Sequence, residues 1–219
     1  MKQGKAGDRV GGLSKRLFVL ILTMVIAGFA IPSPGAGTDG PGYGDSSQYH
    51  PLGKPANPEQ LIVPSIDLKS PIVPIEIATD GVLSPPEDVH EVGWWKRSAR
   101  PGATSGQTLV TGHTVHTGGG VMNRLGDLRP GALVQIKTKL GTIDYAATKI
   151  FVYTKAQLAK HKQELFSQDR KDYRLVLVTC TGWTGTEYTS NIIVFADELG
   201  VRNGSGDKAD SDSTFSARR

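Results

Sequence analysis

Cysteine is almost absent from this chain. Cys180 is the only one in 219 residues, so no disulfide can staple the fold from within. Charge of one sign is lacking too: 25 Lys and Arg face 21 Asp and Glu, a net charge of +4. There is no basic stripe with interleaved aromatics and no recognition-helix pattern, so nothing argues for a nucleic-acid partner. No internal repeat is evident, and strands do not alternate with helices as a parallel α/β sheet requires.

Long apolar runs are missing with one exception, Leu17 to Ile31. Lys2, Lys5, Arg9, Lys15 and Arg16 precede it, opposed only by Asp8. At about 15 residues it lies between the 7–15 of a cleaved signal and the roughly 17–25 of a spanning helix. Lys15 and Arg16 can snorkel and lengthen the span, and no crisp Ala-x-Ala cleavage site follows. The expectation is a retained single-pass anchor over 17–31, with a basic cytoplasmic segment over 1–16 and an extracellular C-terminal domain. The alternative is a cleaved signal and a secreted product. Either way the rest of the chain is exported, which changes the meaning of Cys180. An unpaired cysteine there is buried, cross-linked between chains, or kept for its reactivity.

Residues 32–59 are rich in Pro, Gly, Ser and Asp and lack apolar periodicity, so they read as a flexible linker. The tail 201–219 reads as disordered on the same grounds. Between them, 60–200 carries many short β-branched runs. Leu61 to Leu68 alternates and contains Pro64, which suggests an edge strand. Ser70-Pro71 turns into Ile72 to Ile77, and Asp80-Gly81 signals a tight turn. Thr108 to Thr111, Leu133 to Lys137, Thr142 to Tyr153, Leu175 to Thr179 and Asn191 to Ala196 read as further strands. Val121, Leu125 and Leu128 share one face of a short helix, and Lys155 to Phe166 is helix or loop. The fold class is all-β, a barrel or sandwich with one or two short helices.

Cys180 ends an apolar run, and Gly182 marks where strand gives way to loop. Taken alone it reads as a small buried hydrophobe. His113 changes that reading. It too follows an apolar β-branched strand, beside Gly112. If the two strands are parallel neighbours, thiol and imidazole project together at one rim, and such a pair is nucleophilic: the thiolate attacks and the imidazolium protonates the leaving amine. His116 stands three residues after His113, and a His-x-x-His zinc site is the metal alternative. It lacks a third ligand and sits in a Gly-rich loop, so no metal and no cofactor are expected. His50, His90 and His161 lie in polar surroundings and need no role. Trp94 and Trp95 read as packing rather than as substrate contacts.

Thr108-Leu109-Val110-Thr111-Gly112-His113, followed downstream by Leu177-Val178-Thr179-Cys180, resembles the sortases, the cysteine transpeptidases of Gram-positive cell surfaces. Val92-Gly93-Trp94-Trp95, Pro101-Gly102 and Leu125 to Gly131 resemble the actinobacterial classes E and especially F. The resemblance runs from about Leu61 to Leu199. It implies an eight-stranded β-barrel with His113 and Cys180 catalytic. It also implies cleavage of an LPxTG-like sorting motif through a thioester on Cys180. The partners would be surface proteins bearing a C-terminal sorting signal, and the acceptor an amine of a peptidoglycan precursor or a pilin.

The sequence departs from the family at one place. Sortases carry an arginine on the strand after the cysteine, yet no arginine lies between Arg174 and Arg202. Thr189 stands about where that arginine aligns, so Thr189, Asn191 or, from the segment after His113, Arg124 are the candidates for its oxyanion or substrate-binding role. Two rivals stay open: a thiol hydrolase of the same constellation, and a noncatalytic wall-binding barrel.

Overall fold

The apolar runs close into a barrel. In a computed structural model of the chain, which describes residues 46–79 and 81–204, nine strands occur in chain order. They are β1 (Tyr49–His50), β2 (Pro58–Val63), β3 (Leu68–Ile75), β4 (Val92–Trp95), β5 (Gln107–Gly112), β6 (Leu133–Thr138), β7 (Gly141–Thr154), β8 (Arg174–Trp183) and β9 (Tyr188–Arg202). Two short helices, α1 (Lys155–Lys160) and α2 (Lys162–Phe166), link β7 to β8. The order β9-β7-β6-β2-β3-β4-β5-β8 returns to β9 through a β8–β9 pairing, and β1 lies outside the ring against β9. β3–β4 and β5–β8 are parallel, and the other pairs are antiparallel.

Side-chain alternation sorts the walls into two faces. Val110, Leu175, Leu177 and Val194 point into the barrel core. Leu109, Val176, Ile193 and Phe195 alternate with them and pack on the outside, under Leu158, Leu165 and Phe166 of the two helices. Burial on both faces is why β5, β8 and β9 read as unbroken apolar runs rather than as alternating ones.

A buried amide ties α2 to this wall. Gln107 is fully buried, and its Nε2 donates to the carbonyls of Leu165 (2.6 Å), Glu164 (3.0 Å) and Ser167 (3.1 Å). Its Oε1 accepts from Arg174 Nε at 2.8 Å. These bonds occupy carbonyls at the C-terminal end of α2, which have no partner within the helix. Each buried polar group left unpaired costs about 1–3 kcal/mol. Gln107→Leu is therefore expected to destabilise the protein by about 3 kcal/mol, read as a lower urea midpoint. A loss below about 0.5 kcal/mol would show that water replaces the amide.

Several expectations are corrected. Pro64 is not in a strand: β2 ends at Val63, a 3-10 turn covers Pro64–Ile66, and β2 is central, between β3 and β6. The strand stops because the chain turns there: the Asp67 N–H bonds Pro64 O at 3.2 Å, with Asp67 at a φ of 53°. Ser70-Pro71 lies inside β3 and makes no turn. The stretch expected to be one helix face is a set of turns with a 3-10 segment, Leu125–Asp127; of the expected face Leu125 and Leu128 are buried and Val121 is half-buried, while Met122 is buried in its place.

The linker boundary also moves. From residue 46 the chain is ordered on the barrel: β1 pairs with β9, and Leu52 is buried. A buried leucine contributes about 1.5–3 kcal/mol, enough to hold a Pro- and Gly-rich strip. At the other end Val201 and Arg202 belong to β9, and Arg202 bonds Asp144 at 2.7 Å, so these two are part of the barrel and not of the expected tail. The anchor 17–31, the linker residues 32–45, Asp80 of the expected turn and the tail 205–219 lie outside the described residues. Among the described residues no helix is long and apolar enough to cross a membrane.

Candidate active site

The parallel register of β5 and β8 aligns the two candidate catalytic residues. Thr111 pairs with Val178, so two residues on, His113 stands level with Cys180. On its other side Cys180 pairs with Asn191 of β9, and Asn191 with Tyr153 of β7. One row across the wall thus reads Tyr153, Asn191, Cys180, His113. The alternation that sends Val176 outward sends Val178 and Cys180 outward too, so the thiol belongs to the outer wall and not to the core.

Cys180 lies inside β8, not at its end as expected. Gly182 does not stop the strand, because its φ of 73° is absorbed within the β8–β9 hairpin, opposite Thr189. The next residue inward, Thr179, fastens β8 to β5. Its hydroxyl donates to Gly112 O at 2.8 Å and meets Thr114 Oγ1 at 2.9 Å. That holds the chain on either side of His113.

A cavity of about 540 Å3 opens on this outer face. Its floor is Leu109, Val178 and Cys180, and one side is Leu158, Leu165 and Phe166 of the helices. Asn191 and Lys155 stand at the thiol, and the segment Val82 to Pro85 forms the opposite side. It is an apolar trough with a nucleophile at one end, wide enough for an extended peptide to lay aliphatic side chains in it. A second cavity, of about 360 Å3, lies at the opposite end of the barrel between β1, Tyr173 and the end of β9, without a nucleophile.

His113 Nε2 donates to Pro86 O at 2.7 Å. A carbonyl only accepts, so the ring proton sits on Nε2, and Nδ1 keeps the lone pair that can take a proton from sulfur. Among the described residues no hydrogen bond joins His113 to Cys180. Burial pushes the Cys180 thiol above its ordinary pKa, while the charge of Lys155 and a hydrogen bond from Asn191 act against that rise. The sulfur of the free protein is thus held protonated at neutral pH and needs a base when it attacks. Asn191 Nδ2 donates to Thr179 O at 3.2 Å and approaches Cys180 Sγ at 3.8 Å.

The other predicted residues separate from this group. Thr189 is exposed, and its hydroxyl donates to Gly182 O at 3.0 Å across the hairpin. Arg124 is bound to Asp67 (2.9 Å) and Asp127 (3.2 Å) beside the β2–β3 connection. His116 stacks on Trp183 with ring centroids 4.0 Å apart, and among the described residues no cluster of potential ligands could hold a metal ion. Trp94 is buried in the core with its Nε1 on Ser98 Oγ, and Trp95 packs edge-on against Phe166, so both are packing residues.

Sequence reasoning missed Lys155 and the Leu83-Ser84-Pro85-Pro86 wall. A signal for the first was present: Thr154-x-x-Gln157 is a capping box, and the structure shows it closing the start of α1.

The chain matches the family model described as Sortase domain over residues 61–199. Among solved structures it is similar to sortase A from Corynebacterium diphtheriae, at 20% identity and a TM-score of 0.53 over 69% of this chain and 64% of that one. It thus spans just under two-thirds of that structure's length. It is also similar to sortase C1 from Streptococcus suis, at 21% identity and a TM-score of 0.51 over 65% of this chain and 73% of that one. A sortase D5 transpeptidase from Clostridium perfringens shares 19% identity with a TM-score of 0.50, over 66% of this chain and 79% of that one. At these identities the likeness is one of fold. No curated protein matches the chain in sequence.

Proposed function

The chain belongs to the sortase family, and from that premise we propose that it is a cysteine transpeptidase working through Cys180 and His113. The observation that carries the reading is their parallel-strand alignment, with the Cys180 thiol lining an apolar trough. A peptide with an aliphatic residue ahead of the scissile bond fits that trough, as an LPxTG-like sorting motif does. His113 Nδ1 takes the thiol proton, and sulfur attacks the scissile carbonyl carbon. The oxyanion forms where the Asn191 amide can donate to it. Collapse breaks the C–N bond, the leaving amine takes the proton from His113, and a thioester remains on Cys180. An incoming amine gives a proton to His113 and attacks the thioester carbon. The new amide forms and sulfur leaves, recovering its proton from the imidazolium.

Within the family the reading is actinobacterial class E or F, with class F favoured. It is supported by Val92-Gly93-Trp94-Trp95, Pro101-Gly102 and the Leu125 to Gly131 segment. The substrates are surface proteins with a C-terminal sorting signal, and the acceptor is an amine of a peptidoglycan precursor or a pilin. The basic start and the apolar run 17–31 support a membrane location with the barrel outside.

One preparation tests both parts. The full chain, recovered from membranes after carbonate washing, is incubated with an LPxTG-type peptide, with and without an amine. A thioester adduct on Cys180 and an amide product that needs the amine are expected. Hydrolysis unaffected by the amine would make the protein a thiol hydrolase, and an unlabelled Cys180 would make it a binding barrel. Recovery of a shortened soluble form would show that 17–31 is a cleaved signal.

A further inference from the structure

Among the described residues no guanidinium lines the trough. Arg174 is buried at the far end of β8 with its Cζ 3.8 Å over the Phe195 ring and its nitrogens on Gln107 and Glu164. Arg124 is held by Asp67 and Asp127. The cations that line the cavity with Cys180 are Lys155 and Lys162. They are not equivalent. Thr154 pairs with Ser190, one residue past the row that holds Asn191 and Cys180, and Lys155, the first residue of α1, follows it. Lys162 starts the next helix, further along the trough. A short ion pair ties Lys155 Nζ to Glu187 Oε2, on the turn that joins β8 to β9.

We infer that Lys155 is a positioning residue for the Cys180 thiolate, supplying beside the sulfur the positive charge that no arginine supplies, and that Glu187 limits how much of that charge the sulfur feels. The inference rests on the transpeptidase reading and deepens it. The ionisable groups around the thiol are His113 from the end of β5, Lys155 from α1, Lys162 from α2, Glu187 from the hairpin and Tyr188 from β9. Of these, Lys155 opposes the burial that holds the thiol protonated. Both partners of the ion pair are more than half exposed, so the field on the sulfur is screened by salt and modest in size.

The ion pair admits a plainer role, fastening α1 to the hairpin. The two roles predict opposite patterns. If the pair only fastens, losing either partner does the same thing. If the charge acts on sulfur, Lys155→Gln removes a cation and Glu187→Gln removes the anion that offsets it. Because Cys180 is the only cysteine, its alkylation by iodoacetamide reads one thiol without background. In the full chain, Lys155→Gln is expected to raise the pH midpoint of alkylation by about 0.5 unit, slowing labelling at pH 7 about threefold. Glu187→Gln is expected to lower the midpoint, Lys155→Arg to leave it in place, and 1 M salt to shrink both shifts. Midpoints that move the same way in the Gln variants, or that do not move, would overturn the inference. The titration needs no peptide. Opposite shifts in a protein that acylates no sorting peptide would therefore uphold the role of Lys155 while ending the transpeptidase reading.

Discussion

Replacing His113 by alanine is expected to slow acylation of Cys180 by a sorting peptide by about 10³-fold, within the 10²–10⁴ range of a lost general acid–base. Burial holds the thiol protonated at neutral pH, so the attack needs a base at the moment of bond formation. The leaving amine then needs an acid, and His113 is the residue level with Cys180 that can serve as both. A raised thiol pKa means that the thiolate fraction grows as pH rises. The residual rate of the His113→Ala variant is therefore expected to climb about tenfold per pH unit until the thiol is ionised. His116→Ala is expected to cost less than about fivefold, since His116 stacks on Trp183 and stands three residues past the position level with Cys180. Rapid-quench measurement of the thioester separates the two variants. Equal losses, or a flat pH profile in His113→Ala, would move the base elsewhere.

The sequence is most legible where both faces of a strand are buried. Thr108 to Thr111, Leu175 to Thr179 and Asn191 to Ala196 announce themselves as runs, and they are the strands that carry the site. The alignment of His113 with Cys180 was conditional on a parallel β5–β8 pair, which no local pattern encodes, since strand pairing is a long-range choice. Shorter elements were hidden. β1 is two residues in a Pro- and Gly-rich strip, and its signal is a single buried side chain, Leu52. The helices α1 and α2 are too short for periodicity to show, so the apolar residues at Leu158 and Leu165 leave helix or loop open, and the capping box that marks the start of α1 went unread. In the sequence Gly182 reads as the end of a strand, but a left-handed glycine can equally sit within a hairpin, which is how β8 extends past Cys180.

That hairpin register sets which residue lies beside Cys180, where a donor in place of the family's arginine is needed. Counting from Cys180 without the register puts Thr189 in the place. The pairing puts Asn191 across from Cys180 and leaves Thr189 opposite Gly182, its hydroxyl already donated to Gly182 O. Asn191 Nδ2 lies 3.8 Å from the sulfur, close to where a carbonyl oxygen bound at sulfur would acquire its charge. Asn191→Ala is expected to lower the acylation rate by about 10²–10³, the usual loss for one oxyanion donor. Asn191→Asp should cost more, because a carboxylate offers no donor and repels both the thiolate and the oxyanion. It should also move the alkylation midpoint of Cys180 upward, while Asn191→Ala moves it less. Thr189→Ala should stay within about twofold of the parent, and Thr189→Arg should gain nothing if Asn191 already fills the role, since a twofold change is only about 0.4 kcal/mol. Single-turnover acylation with a fluorogenic peptide measures all four. A Thr189→Ala loss as large as that of Asn191→Ala would return the donor to the hairpin. An Asn191→Ala variant that acylates at the parent rate would pass the role to another donor lining the trough, Lys155 among them.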